Sequence, residues 1–268
     1  MPPVAHRRSW TPIRNPDRWL LPGCRYGDRQ DRQRRAMHSW YFVGDSHVQA
    51  FEIAATLGLL RRPSRFLIVP GATAVGLRNP ESHTQAIAHF REALLPALPD
   101  VVPVLQLGEV DCGFVIWWRA QTLGESVEAQ LAESIEAYAC FIDTLTDAGY
   151  RRIVVTGAVP PTIPDGHRQG AVARARHMVT ASLRDRTELT MRYNRLLAAE
   201  AARRRLPYID LSAHVLDPGT GLIADAYRSP NPRDHHLHPI RGAHAWAEAI
   251  NGLENGLEAR LDRLPAEC

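Results

Sequence analysis

WYFVGDSH, residues 40–47, joins a short apolar run to a glycine, an aspartate and a serine. HVQAFEIAATLGLL (47–60) follows directly, with apolar residues at helical spacing. The pattern predicts a buried strand over 40–44, a tight turn, and then a helix. Runs of this kind, apolar on every residue and not alternating, suit a strand covered on both faces.

The same unit recurs along the chain. RFLIVPG (65–71) reads as a second strand, SHTQAIAHFREALLPAL (82–98) as a helix and VVPVLQLG (101–108) as a third strand. SVEAQLAESIEAYACFIDTLTDAG (126–149) reads as a long amphipathic helix stopped by Gly149, before RRIVVTGAV (151–159) as a fourth strand. TELTMRYNRLLAAEAARRR (187–205) is helical, LPYIDLS (206–212) is the fifth strand, and IRGAHAWAEAINGLENGLEARL (240–261) closes as a helix. Strands alternating with helices imply right-handed crossovers and a parallel sheet with helices on both faces. Five strands in this rhythm predict a flavodoxin-like, doubly wound α/β domain over residues 38–268, with no internal repeat and no linker.

Composition agrees with one globular domain. The chain has 268 residues, 45% hydrophobic and 23% charged. No apolar run reaches the roughly 18 to 20 residues of a membrane span. Four cysteines (Cys24, Cys112, Cys140, Cys268) form no C-x-x-C pair and read as free thiols of a reducing, cytoplasmic setting. The net charge of +3 is uneven: residues 1–37 hold nine arginines against three aspartates, so the remainder carries 23 basic and 26 acidic side chains. A nucleic-acid binder would keep its basic surface on the folded domain. The basic, proline-rich 1–37 stretch lacks any apolar period and reads as a solvated arm, or as residues upstream of a true start at Met37. All 32 basic residues are arginine, which fits GC-rich coding better than selection at a site.

In a doubly wound sheet, ligands bind beyond the carboxyl ends of the strands. Ser46 sits at such an end and at the first turn of a helix, where backbone N–H groups favour developing negative charge. Read alone, Asp45 or Ser46 is better explained as a helix cap. The last loop changes the balance, because NPRDHHLHP (231–239) brings Asp234, His235, His236 and His238 just before the final helix. A serine hydroxyl needs a histidine to take its proton, and the imidazolium needs a carboxylate to orient it. The same residues also suit a metal, since an aspartate and several histidines can ligate zinc or manganese.

With GDSH after strand one, a glycine-bearing turn after strand two, Gly-x-x-Asp after strand three and Asp–His before the last helix, the chain resembles the GDSL-like (SGNH) hydrolase superfamily over roughly residues 40–260. The resemblance implies a three-layer α/β/α sandwich with a five-stranded parallel sheet, and esterase, lipase, deacetylase or acyltransferase chemistry without a cofactor or metal. It implies Ser46 as nucleophile, with the N–H groups of Ser46 and Gly71 as oxyanion donors. The third block departs from the family. LGEVDCG (107–113) places Val110 where an asparagine donor is expected, ahead of Asp111. Loss of one such donor costs on the order of 10² to 10³ in rate, unless Arg119 or a polar residue of the 160–170 loop replaces it. The last block departs as well, because Leu237, not histidine, stands three residues after Asp234. His236 is favoured as base for its His-Leu context, with His238 as rival, since residues two apart in an extended loop share a face. The strings GEVDCG and DHHLH further resemble a bacterial subgroup associated with glycan modification.

Trp117 and Trp118 read either as a stacking platform for a sugar or as aromatics covering the sheet edge. VPPTIPDGHRQG (159–170) reads as an irregular pocket-building loop, Cys112 as packing, and DPGTG (217–221) as a turn. Three functions compete. The first is a serine hydrolase removing or transferring an O-acyl group of a carbohydrate or other small polar ester. The second is a catalytically altered glycan-binding or acyl-transferring relative. The third is a metal-dependent phosphoesterase built on Asp45, His47, Asp111 and the Asp234–His238 cluster, which lacks the Gly-Asn-His and Gly-His-x-His strings. The expected partners are a small-molecule or glycan ester, with no nucleic acid and no membrane span. Nothing in the sequence indicates an oligomeric state.

Overall fold

The computed structural model describes residues 38–261. The arm expected over 1–37, Cys24 and Cys268 lie outside the described residues. Five parallel strands, β1 (Ser39–Gly44), β2 (Ser64–Ile68), β3 (Val101–Gln106), β4 (Val154–Thr156) and β5 (Tyr208–Ile209), lie in the order β2-β1-β3-β4-β5. The pairing is in register throughout, with Phe42 opposite Phe66 on one side and Val104 on the other. This is the doubly wound sheet expected from the strand rhythm.

Alternate strand residues enter opposite layers. Val43, Leu105 and Val155 join one core with Phe90 and Leu94 of α2 (Ala86–Leu94), Tyr138 and Ile142 of α4 (Val127–Asp147), and Tyr193 and Leu197 of α6 (Leu183–Arg203). Trp40, Phe42, Val104 and Val154 join the other core, with Phe51 of α1 (Gln49–Thr56) and Trp246 and Ile250 of α8 (Pro239–Leu261). Each such fully buried side chain is worth about 1.5–3 kcal/mol, and the two cores together make the three-layer α/β/α sandwich. Two short helices complete it, α3 (Ile116–Leu123) and α5 (Ala171–Arg176), with α7 (Ser212–Val215) a single turn. Among the described residues, no helix is long and apolar enough to cross a membrane.

The elements are shorter than their apolar runs where polar or proline residues intervene. β4 keeps only three residues, because Arg152 precedes it and Pro160–Pro161, which cannot donate to a ladder, follow closely. α2 starts at Ala86 and ends at Leu94, just before Pro96. Conversely, α6 begins at Leu183, four residues earlier than its apolar period, because Ser182 and Asp185 form a reciprocal capping box. α3 and α5 arise in stretches with no clear period. Trp117 takes the core reading: it packs on the core and its Nε1 donates to the Cys112 carbonyl at 2.9 Å. Trp118 is exposed and stacked on Phe114. Cys112 is buried, and burial raises its thiol pKa well above the ordinary value. Residues 217–221 form a turn in which Asp217 accepts from the Thr220 N–H and hydroxyl.

Candidate active site

The first loop leaves β1 at Gly44, where a side chain is sterically forbidden: a Cβ there would lie 1.9 Å from the Gln106 carbonyl oxygen of β3. That close approach lets the Asp45 N–H donate to the Gln106 carbonyl at 3.1 Å and aims the next residues beyond the sheet. Asp45 is fully buried and accepts from the His47 N–H at 2.8 Å, so it is the cap of the one-turn helix Ser46–Val48. Burial raises its pKa to about 7 against the opposing pull of His47. Ser46 is half-buried, as the first residue of that turn.

The second loop is held to the first by the Val69 N–H, which donates to the Gly44 carbonyl at 2.9 Å. Gly71 follows, exposed, at φ +76° in the left-handed region that favours glycine. Asp111 is buried beneath this loop. Its carboxylate accepts from the N–H groups of Ala74 (2.8 Å) and Val75 (3.1 Å) and from the Ser134 hydroxyl (2.8 Å). Burial raises the Asp111 pKa more than these three donors lower it. The residue therefore pins the second loop to α4. Arg119 is tied to the same helix through Gln130 and Glu133.

The last loop brings Asp234 and His236 together. Asp234 Oδ1 lies 2.6 Å from His236 Nδ1 and accepts from the His236 backbone N–H at 3.1 Å, while Oδ2 accepts from the Ser229 hydroxyl at 3.0 Å. Burial raises the Asp234 pKa, but these donors outweigh it and hold the carboxyl below its usual range. A carboxylate so stabilised faces a protonated Nδ1, which leaves His236 Nε2 with the lone pair. Nε2 is buried and unpartnered. Burial and the charge of His47 lower the His236 pKa, with Asp234 pulling the other way. The His236 ring lies 4.8 Å from that of His47, the residue next to Ser46. His238 serves the helix start instead. Its N–H donates to the Tyr227 carbonyl at 2.8 Å, and its Nδ1 accepts from the Arg241 N–H at 3.4 Å, in the first turn of α8. Asp234, His236 and Ser46's neighbour His47 thus converge, whereas Arg119 and Asp111 face α4.

Sequence reading missed a second ion cluster. Glu109 is 1% exposed, accepts from Arg176 of α5 at 2.6 and 2.7 Å, and lies 3.3 Å from His47 Nε2. Burial raises the Glu109 pKa, yet Arg176 and His47 draw it well below the ordinary value, and Glu109 in turn raises that of buried His47. The only available signal was a carboxylate inside the apolar-flanked run LGEVDCG; Arg176 is one of several arginines in its stretch. His235 packs 4.1 Å from His236, and burial lowers its pKa to about 3. Among the carboxylates that a phosphoesterase metal site would need, Asp111 gives both oxygens to backbone N–H groups, and Asp45 gives Oδ1 to one while its Oδ2 is buried without a partner.

A cavity of about 110 Å³ is lined by His47, Ile53, Val159, His236 and Trp246 among others. A second, of about 170 Å³, runs past Arg228, Asn231, Asp234 and His235.

The family model of the SGNH domain (fused to AT3 domains) matches residues 9–229, ending just before Asp234. No curated protein sequence matches. Among solved structures, a GDSL-like lipase from Bacteroides thetaiotaomicron is 13% identical with a TM-score of 0.54, over 87% of this chain and 97% of that one. A Bacteroides fragilis protein assigned as an acylhydrolase is also 13% identical with a TM-score of 0.54, over 85% of this chain and 94% of that one. These likenesses speak to the fold, and the family match extends over most of the sequence. The chain belongs to the SGNH family of the GDSL-like hydrolase superfamily.

Proposed function

We propose that the protein is a serine-dependent carboxylic-ester hydrolase that removes an O-acyl group from a carbohydrate or another small polar ester. The observation that carries this reading is His236, anchored by Asp234 at Nδ1 with its buried Nε2 unpartnered, beside the residue next to Ser46. In the mechanism, Ser46 Oγ attacks the ester carbonyl as His236 Nε2 takes its proton, and Asp234 holds the imidazolium. The tetrahedral oxyanion is met by main-chain N–H groups at Ser46 and Gly71. Its collapse expels the alcohol, which takes the proton from His236. Water then cleaves the acyl-serine by the same proton path. The small cavity beside His47 and His236 suits a short acyl group, and the one lined by Arg228, Ser229 and Asn231 suits a hydroxyl-bearing alcohol.

Val110 supplies no side-chain donor, and Arg119 is committed to Gln130 and Glu133, so the oxyanion rests on main-chain donors. That deficit favours a modest rate, and it is the observation behind a second reading, a glycan-binding or acyl-transferring relative. A fluorophosphonate probe tests the first reading. The expected result is one label per chain, on Ser46 and absent from Ser46→Ala; an unlabelled wild-type protein rejects it.

A further inference from the structure

A serine triad uses one imidazole, and here three meet. His47, His235 and His236 each offer one ring nitrogen, all within 4.8 Å of one another. His47 is 2% exposed with its Nε2 turned to Glu109, and His236 Nε2 is buried without a hydrogen-bond partner. Buried polar atoms are ordinarily satisfied, so an orphan nitrogen inside a cluster of three imidazoles points to a missing partner. Two of the rings are also backed by carboxylates, His236 by Asp234 at 2.6 Å and His47 by Glu109 at 3.3 Å. Carboxylate-backed imidazoles are the usual surroundings of metal-bound histidine.

We propose that His47, His235 and His236 form a binding site for one zinc-class divalent cation, whose occupation switches the hydrolase off. Three imidazoles without thiolate suit zinc, cobalt or nickel, whereas calcium and magnesium require oxygen ligands. Metal–nitrogen bonds of about 2.0–2.1 Å set ligand atoms about 3.3 Å apart in a tetrahedron. The ring nitrogens therefore close by at most about 1.5 Å, and water takes the fourth position. Glu109 and Asp234 offset the cation's charge; Arg176 opposes it, but its own charge is met by Glu109. The metal takes the Nε2 lone pair that would receive the Ser46 proton. That inhibitory consequence rests on the serine reading; the site itself does not.

The test uses the full chain, stripped with chelator and titrated with cobalt chloride. The expected result is a visible absorption band typical of four-coordinate cobalt, saturating at one equivalent and displaced by zinc chloride. His235→Phe, which keeps a flat ring against His236, should weaken binding by more than the roughly 10- to 100-fold lost with an outer-shell carboxylate. His235→Ala should do the same. Zinc should inhibit p-nitrophenyl acetate hydrolysis by the wild type, and in His235→Phe, measured against that variant's own zinc-free rate, zinc sensitivity should fall by the same factor as cobalt affinity. Cobalt binding unchanged in both His235 variants overturns the site, and so does active esterase with no visible band. A cobalt band in a protein that neither labels with fluorophosphonate nor hydrolyses esters upholds the site and rejects the esterase reading instead.

Discussion

Two carboxylate–imidazole pairs stand side by side in this protein, Asp234–His236 and Glu109–His47, their rings 4.8 Å apart. In composition they are the same device, yet their surroundings divide them. Asp234 and His236 lie on a loop, about a quarter exposed, and His236 keeps a lone pair unused. Glu109 and His47 are sealed at 1% and 2% exposure, and one Arg176 nitrogen closes Glu109 by donating to both its carboxylate oxygens. A pair that must move a proton needs an imidazole whose pKa sits near working pH and whose far nitrogen reaches a reactant. A pair that joins two loops needs mutual neutralisation. Burial with a third charge makes the second; partial exposure with an empty nitrogen makes the first.

Breaking the first pair should have the largest effect. Ser46→Ala and His236→Ala should each lower kcat/KM for a short-chain p-nitrophenyl ester by on the order of 10⁶-fold, since triad members act as a unit. Asp234→Asn should cost about 10⁴-fold by favouring the wrong tautomer. Melting temperatures should stay nearly unchanged in all three. Comparable rates in Ser46→Ala and wild type would reverse the assignment.

The second pair should register in stability. Glu109→Gln leaves Arg176 buried and unpaired, a loss of about 3–5 kcal/mol, read as a lower urea midpoint. Because Glu109 titrates well below its ordinary 4.5, its contribution is complete above that pH and disappears as pH falls through the folded-state value. The wild type should therefore lose stability on acidification over that range, and Glu109→Gln should not show that component. Equal acid sensitivity of the two proteins would mean that Glu109 carries no such role.

Proton traffic at His236 gives a smaller and separate signal. Its lowered pKa places the acid limb of kcat/KM below pH 6.5, with activity rising as the proton leaves. A limb above 6.5 would contradict the balance of burial and His47 charge over Asp234.

How much of this was legible in the sequence follows from range. Apolar runs and Gly44–Asp45–Ser46 fix strands, their order of appearance and the first loop, because those signals are local. The pairing of Asp234 with His236, two residues on, is local as well. Glu109 with Arg176 spans 67 residues, and its arginine lies in α5, a six-residue helix with no period to announce it. Asp111 was legible as a motif residue, but its use, gripping Ala74 and Val75, depends on two loops meeting in space. Charged residues whose partners are remote read as solvated in sequence and become structural only on burial.

The smallest effect concerns His238, the residue that the loop spacing made a rival base. An extended loop would have set Asp234, His236 and His238 on one face. Instead the chain turns after Leu237, which pairs across to Arg228, and α8 starts at Pro239. His238 then receives the Arg241 N–H at its Nδ1, close to the length limit of a hydrogen bond. A weak cap of this kind contributes roughly 0.5–1 kcal/mol. His238→Ala should accordingly lower the melting temperature by a few degrees at most and leave kcat/KM within about threefold of wild type. His238→Asn, which can still accept from the helix N-terminus, should restore most of the stability. If His238→Ala is instead the inactive variant while His236→Ala turns over, the working base lies four residues after its aspartate, and the 2.6 Å contact of His236 with Asp234 serves only to shape the loop.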